Sequence, residues 1–428
     1  MTAATAGASF DVVVLGGGAA GSAVAGFLAK EGRSVAVVER ARHPRPGVGE
    51  SLLPHCWRFL DELGVTPTIE DEGFVRKLGT TARWGGVVRQ FEFAEFGHTR
   101  GSLLVERDRF DELLFRHAAS LGVTTHEDTT VTSVETADGA CTTHARTGDG
   151  RTIDLASAWV VDATGQGSLL ARRDGVRVAD PAGTTIALWA TFRGGRRVGR
   201  GGVLHDAAGH GDEASTYCAE GAGGWGWHFP LRGKASVGFM VERASLTSEA
   251  PAALERTFHA AIAALPGFAP LLDGATVEPG TFHSIADYSA RATARSGPGY
   301  FLVGDAAGYV DPIFAQGIQF ALYSAFMAAG TVARVLSGGG AGPARRLYDG
   351  RLAQHYELSR ALARGGDDDD TVDPGVLDLL ATMPAPELDL LYTAAEVMGR
   401  AAHFERIARA GGLQARAKNH VLGELSAC

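Results

Sequence analysis

Cysteine is scarce, with only Cys56, Cys141, Cys218 and Cys428 in 428 residues, far apart and without paired spacing. That excludes a disulfide framework and offers no zinc pattern. Lysine is equally rare: Lys30, Lys77, Lys234 and Lys418 stand in a basic complement that is otherwise arginine. The bias most simply reflects GC-rich coding, yet each surviving lysine stands where arginine could have replaced it, and lysine is the more compact and the more readily deprotonated of the two. Lys30 reads as an exposed helix position and Lys234 as a hairpin-turn residue. An excess of positive charge is missing too. A formal net charge of −9 excludes the basic surface that a nucleic-acid partner needs. The fourteen histidines show no H-E-x-x-H or other metal spacing, so no metal ligand set is expected. The opening "MTAATAGAS" has no basic n-region. The longest apolar run, "ALYSAFMAAGTVARVL", reads as too short and too rich in small residues to span a bilayer, so a cytoplasmic chain with no membrane partner is expected.

What is present is the composition of a folded globular protein, 45% apolar and 21% charged, in a chain long enough for two or three domains or one large composite one. "FDVVVLGGGAAGSAVAGFLAKEGRSVAVVER" reads as strand, glycine turn, amphipathic helix and second strand ending in an acid. Gly16, Gly18 and Gly21 have G-x-G-x-x-G spacing, which allows the tight turn, the approach of a pyrophosphate and the helix–sheet contact. The anion then rests on the helix N-terminus beside Ala20. Glu39, followed by Arg40, stands where a carboxylate takes ribose hydroxyls. A dinucleotide is expected. Downstream, "GYFLVGDAAGYVDPIFAQGIQFAL" repeats the logic: a strand from Tyr300 to Val303, then Gly304 and Asp305, then a helix from about Gly317. Asp305 suits a ribityl chain. Gly317 and Ile318, at a helix N-terminus, suit negative charge on a reduced flavin.

The paired G-x-G-x-x-G and G-D-A-A-G motifs resemble the FAD domain of the aromatic-hydroxylase superfamily, a likeness that runs over roughly residues 9 to 340. It implies that Arg107, in "LLVERDRFDELLFRHAASLGV", lies near the FAD phosphates. It also implies that Asp162 to Gly165, in "WVVDATGQGSLLAR", end a strand beside the cofactor. "GGWGWHFP" is similar to the W-x-W-x-I-P motif of one branch, the flavin-dependent halogenases, with Phe229 in place of isoleucine. "GVGESLLP", which contains Glu50 and Ser51, and "GFVRKLGTTARWGG" resemble segments of their phenol and pyrrole types, and Lys77 falls on the catalytic lysine. The resemblance implies FAD, reduced by a separate flavin reductase, with dioxygen and chloride or bromide. The product at the flavin is hypohalous acid, which a buried lysine passes to a small aromatic substrate, free or bound to a carrier protein.

On an extended strand Trp225 and Trp227 point to one side, where two indoles can wall the substrate off from the flavin. His228 then points the other way. Where tryptophan-specific members carry a glutamate, this chain has Phe314, which suits an already electron-rich ring. Ala315 and Gln316 replace the usual hydroxyl residues, so halide is left to Gln316 and the backbone at Gly317. The same two residues favour an alternative, a monooxygenase or oxidase on this scaffold. A non-enzymatic binding protein that no longer holds FAD is a third reading.

The expected fold is α/β: a Rossmann-like FAD-binding domain (1–79, 102–175 and 288–340), a β-rich substrate domain (80–101 and 176–287) and a helical C-terminal region (341–428). In that last region Leu390, Ala394, Val397, Ala401 and Phe404 form one helical stripe. Lys418 reads as part of a basic helix, and "DDDD" as a solvated loop.

Overall fold

A computed structural model describes residues 9–179, 185–206, 213–286, 289–310, 312–363 and 374–422. The aspartate run 367–370, Cys428 and the domain limits at 287 and 288 lie outside them. The first strand, Ser9–Leu15, runs parallel to Val35–Val38 on one side and Thr152–Asp162 on the other. Tyr300–Leu302 and Thr124–His126 extend this parallel core outward. Val12 to Leu15 have no accessible surface, as expected of a strand covered on both faces. One covering layer is the helix Ala19–Lys30, whose small residues admit the long helix Gly317–Leu336 against it.

That long helix corrects one expectation. At 20 residues it is long and apolar enough to cross a membrane by length and composition. Its apolar residues are instead spent in the interior, with Ile318, Phe320, Leu322, Ala325, Ala328 and Val332 buried.

A second, mixed sheet of twelve strands among the described residues lies across a cleft from the first. Thr185–Arg193, Lys234–Glu242, Gly224–Leu231 and Glu213–Gly221 pair antiparallel in that order. Glu213–Gly221 then pairs parallel with Val75–Trp84. The two faces separate by the period of two: Ile186, Leu188, Ala190 and Phe192 pack on the helix Pro251–Ala264, while Ala187 joins Trp227 and Met240 on the other side.

The sheet begins at Val75 rather than at residue 80, and it takes in Ser102–Leu104 through pairing with Val75–Lys77. Arg76 and Lys77 disguised the start of this strand, since two cations are not what a buried strand displays.

The C-terminal region is helical in Ala341–Ala363, Pro374–Ala381, Ala385–Val397 and Ala401–Ala410. The expected single stripe is broken. Gly399 adopts φ +71°, and a Cβ there would lie 2.4 Å from the Trp84 ring, so the chain turns at a residue only glycine suits. Val397 consequently faces Trp227 and Phe93, whereas Phe404 packs with Leu362 and Leu380. Lys418 lies in no helix. It precedes the strand His420–Leu422, which pairs with Val88–Gln90 of the large sheet.

Candidate active site

Between the two sheets lies a cleft of about 1040 Å³. The first turn builds its floor. Gly16 adopts φ +98°, and Gly21 lies so close to the Gly16 carbonyl that a Cβ would come within 1.9 Å of that oxygen. Gly18 opens the helix with no side-chain cap and no acid in its first turn, which leaves orphan N–H groups facing the cleft. A Cβ on Gly18 would meet only Arg45 Nη2, at 2.9 Å, and Asp111 at 3.9 Å. An uncapped, unobstructed helix N-terminus beside a left-handed glycine fits a pyrophosphate.

Glu39 lines the same cleft and is almost fully buried. Its Oε2 accepts from the Gly17 amide at 2.7 Å and its Oε1 from the Ala41 amide at 2.9 Å, so the acid holds the turn while offering its remaining lone pairs to a ribose. Ala20, Arg40, Gly304, Asp305, Gly317 and Ile318 also line the cleft. Burial pushes the Asp305 carboxyl up to about 6 against the pull of Arg107 and Arg177. Burial likewise raises that of Glu50.

Arg107 reaches the cleft from the start of the helix Arg107–Ser120. Its Nε and Nη2 form a fork on Asp111, each at 3.0 Å, and Nη1 donates to the Val48 carbonyl. Asp111 was not singled out from the sequence, although its i+4 spacing from Arg107 on a helix is a readable signal. Asp111→Asn should leave Arg107 free to swing and weaken FAD binding by roughly 10-fold. A flavin-fluorescence titration that gave wild-type affinity would remove this role.

Asp162 stands apart from the other expected cofactor residues. It is fully buried and does not line the cleft: Oδ1 accepts from the Thr164 amide and hydroxyl, and Oδ2 from the Leu170 amide. The carboxylate shapes the loop, and Ala163 to Gly167 present themselves in its place.

Gln316 also departs from expectation. It lines an adjoining small pocket with Tyr356 and Ser359, while Ala315 and Gly317 face the large cleft. Ala315 adopts φ +54°, a conformation uncommon outside glycine, at the turn into the long helix.

The roof carries Trp225 and Trp227 on one face of their strand, ring centroids 5.7 Å apart, with Phe229 6.0 Å beyond Trp227. Gly238 on the neighbouring strand makes room for the Trp227 indole, since a Cβ there would sit 2.0 Å from it. Met240 and Ile285 complete this apolar wall and were not anticipated. His228 points to the opposite side, where burial lowers its pKa to about 4.

Lys77 does not line the cleft itself. Only 2% exposed, it lies behind Ser51, which does. Its Nζ donates to Ser51 Oγ at 2.9 Å, reaches the Leu52 carbonyl at 3.5 Å and stands 5.2 Å from the centre of the Phe93 ring. With no carboxylate paired to it among the described residues, burial lowers its pKa to about 8. The other lysines are ordinary: Lys30 is exposed, Lys234 opens a strand after a hairpin turn, and Lys418 lies 3.7 Å from Asp389.

A family model described as an FAD binding domain matches residues 9–349. The 1H-pyrrole-2-carbonyl-(peptidyl-carrier protein) chlorinase of Pseudomonas fluorescens is 32% identical over 345 residues, which covers 76% of this chain and 75% of that protein. The chain belongs to the flavin-dependent halogenases. The tryptophan 2-halogenase of Chondromyces crocatus is 32% identical over 339 residues. That match covers 77% of this halogenase-family chain and 62% of the length of its relative. The crystal structure of CmlS, a flavin-dependent halogenase, superimposes with a TM-score of 0.75 at 28% identity, over 93% of this chain and 67% of that one. FAD is the cofactor of this fold, and the glycine turn, Glu39 and Arg107 suit it.

Proposed function

We propose that this halogenase-family chain transfers chlorine or bromine to an electron-rich aromatic ring, a phenol or pyrrole, free or tethered to a carrier protein. Its reduced FAD would come from a separate flavin reductase. The observation that carries the reading is Lys77, a buried amine with its pKa lowered to about 8, separated from the cofactor cleft by the hydroxyl of Ser51.

Reduced FAD, when bound, supplies the electrons with which dioxygen and halide become hypohalous acid. The residues of the chain do the rest. Trp225 and Trp227 line the cleft and hold an aromatic substrate away from it. The Ser51 hydroxyl, at the cleft wall, can pass a hydrogen bond from the oxidant to Lys77. The neutral amine takes the halogen from hypohalous acid, and its proton leaves with hydroxide as water. Attack by the arene on that halogen, with loss of a ring proton, restores the amine. Phe314 provides no carboxylate to take up that proton or to polarise the ring, which supports a substrate activated by its own oxygen or nitrogen.

The test combines purified protein, FAD, an independent flavin reductase, NADH, bromide or chloride, labelled dioxygen and a simple phenol. Halide-dependent halophenol without oxygen label is the expected product. Labelled hydroxylated product formed without halide would overturn the proposal in favour of a monooxygenase.

A further inference from the structure

Outside the cleft, three side chains from distant parts of the chain converge. His55 lies at the start of the helix Cys56–Leu63, His98 follows the turn Phe93–Phe96, and Glu387 is in the first turn of Ala385–Val397. His55 Nε2 lies 2.8 Å from Glu387 Oε2 and His98 Nε2 lies 3.1 Å from Glu387 Oε1. One donor atom from each of the three residues falls within 4.8 Å of the others.

A carboxylate that faces two imidazole nitrogens is satisfied by an N–H from each ring or by one metal ion that takes the place of those hydrogens. The geometry at His98 favours the metal. Its Nε2 is buried and lies 3.1 Å from Glu387 Oε1, but in an alignment that makes a poor hydrogen bond at best. Two nitrogens and a carboxylate oxygen are the donor set that zinc takes, at roughly 2.0–2.2 Å from each, which places neighbouring ligands roughly 3.3 Å apart in a tetrahedron. Side-chain exposures of 37% for His55, 21% for His98 and 26% for Glu387 put the cluster within partial reach of solvent.

We propose that His55, His98 and Glu387 bind one zinc ion, which clamps the C-terminal helices to the segment that follows the cleft wall. His55 is the residue after Pro54, four positions from Ser51, so the clamp would anchor the loop against which Lys77 rests.

The experiment uses the full chain with FAD bound, freed of metal by a chelator and then titrated with zinc chloride in a calorimeter, with cobalt(II) as a spectroscopic probe. One equivalent of zinc should bind, with a dissociation constant of about 1 μM or tighter, and cobalt should show the intense visible absorption of a tetrahedral site. His98→Ala and Glu387→Gln should each weaken zinc binding by on the order of 100-fold or more. The flavin spectrum and far-ultraviolet dichroism should stay unchanged, which shows that the variants are folded. His98→Gln serves as a milder second variant, and should lose cobalt absorption too. Absence of saturable zinc uptake by the wild type would overturn the site, as would equal affinity in the folded variants. The cluster would then be a carboxylate held by N–H groups of two imidazole rings.

Discussion

Replacing Lys77 by methionine should abolish halogen transfer to a phenol while flavin oxidation continues, and the variant should be more stable than the wild type at pH 7. Both effects follow from the same buried amine. Without nitrogen no halogen can be held at this position, so product formation should fall by at least about 10³-fold, at the upper end of what one catalytic side chain contributes. Free hypohalous acid should then escape into solution, so the loss is read with a diffusible halogen trap in excess over the phenol, which takes up the escaped acid and reports it.

The stability effect has a definite pH window. The folded-state pKa of about 8 lies below the ordinary 10.5, so below pH 8 the folded protein must carry a charge that burial disfavours. That penalty is about 3 kcal/mol. Between about pH 8 and 10.5 the unfolded chain binds the extra proton, and wild-type stability should rise with pH. Methionine removes the penalty but leaves the Ser51 hydroxyl and Leu52 carbonyl without this donor, at a cost of about 1 kcal/mol. The net gain of about 2 kcal/mol at pH 7 should raise the melting temperature by a few degrees, shrink above pH 8 and turn into a small loss by about pH 10.5. In the wild type, halogen transfer should rise with an apparent pKa of about 8, while flavin oxidation does not follow it. Denaturation curves for the two proteins across pH 6–10 that run parallel would contradict the burial argument.

Gly21→Ala should lose both FAD and stability, whereas Gly18→Ala should lose FAD alone. The methyl group at Gly21 would be 1.9 Å from the carbonyl oxygen of Gly16 and 3.2 Å from Ala163 Cβ. Backbone cannot yield as a flexible side chain does, so the helix must lift from the strand, at about 3 kcal/mol. At Gly18 the only close neighbour is the far end of Arg45, and φ is −76°, which alanine accepts. Its methyl group would point into the space left for the pyrophosphate. Thermal melts and FAD titrations of both variants separate the two roles. Wild-type FAD affinity in Gly18→Ala would show that the phosphate lies elsewhere.

The dinucleotide turn was legible because its chemistry is local: three glycines, one acid and two flanking strands lie within residues 9 to 39, and each requirement is a backbone requirement. The paired indoles were legible for the same reason, since alternation along one strand fixes which side each faces. The C-terminal stripe was not. Its periodicity continues through Gly399, and the break depends on Trp84, more than 300 residues earlier. The role of Asp162 was hidden likewise, because whether a strand-ending carboxylate faces ligand or loop depends on which amides the following turn aims at it.

By itself, then, the sequence determined the strand–turn–helix units that cradle a dinucleotide and marked Lys77 as one of four lysines among many arginines. Tertiary structure alone decided what that lysine is. Its lowered pKa comes from the desolvation imposed by packing against Phe93 and beneath Ser51, and burial of that kind belongs to no segment on its own. The meeting of His55, His98 and Glu387 is likewise a property of the fold, since side chains 332 positions apart acquire a common geometry only when the elements that carry them are packed together.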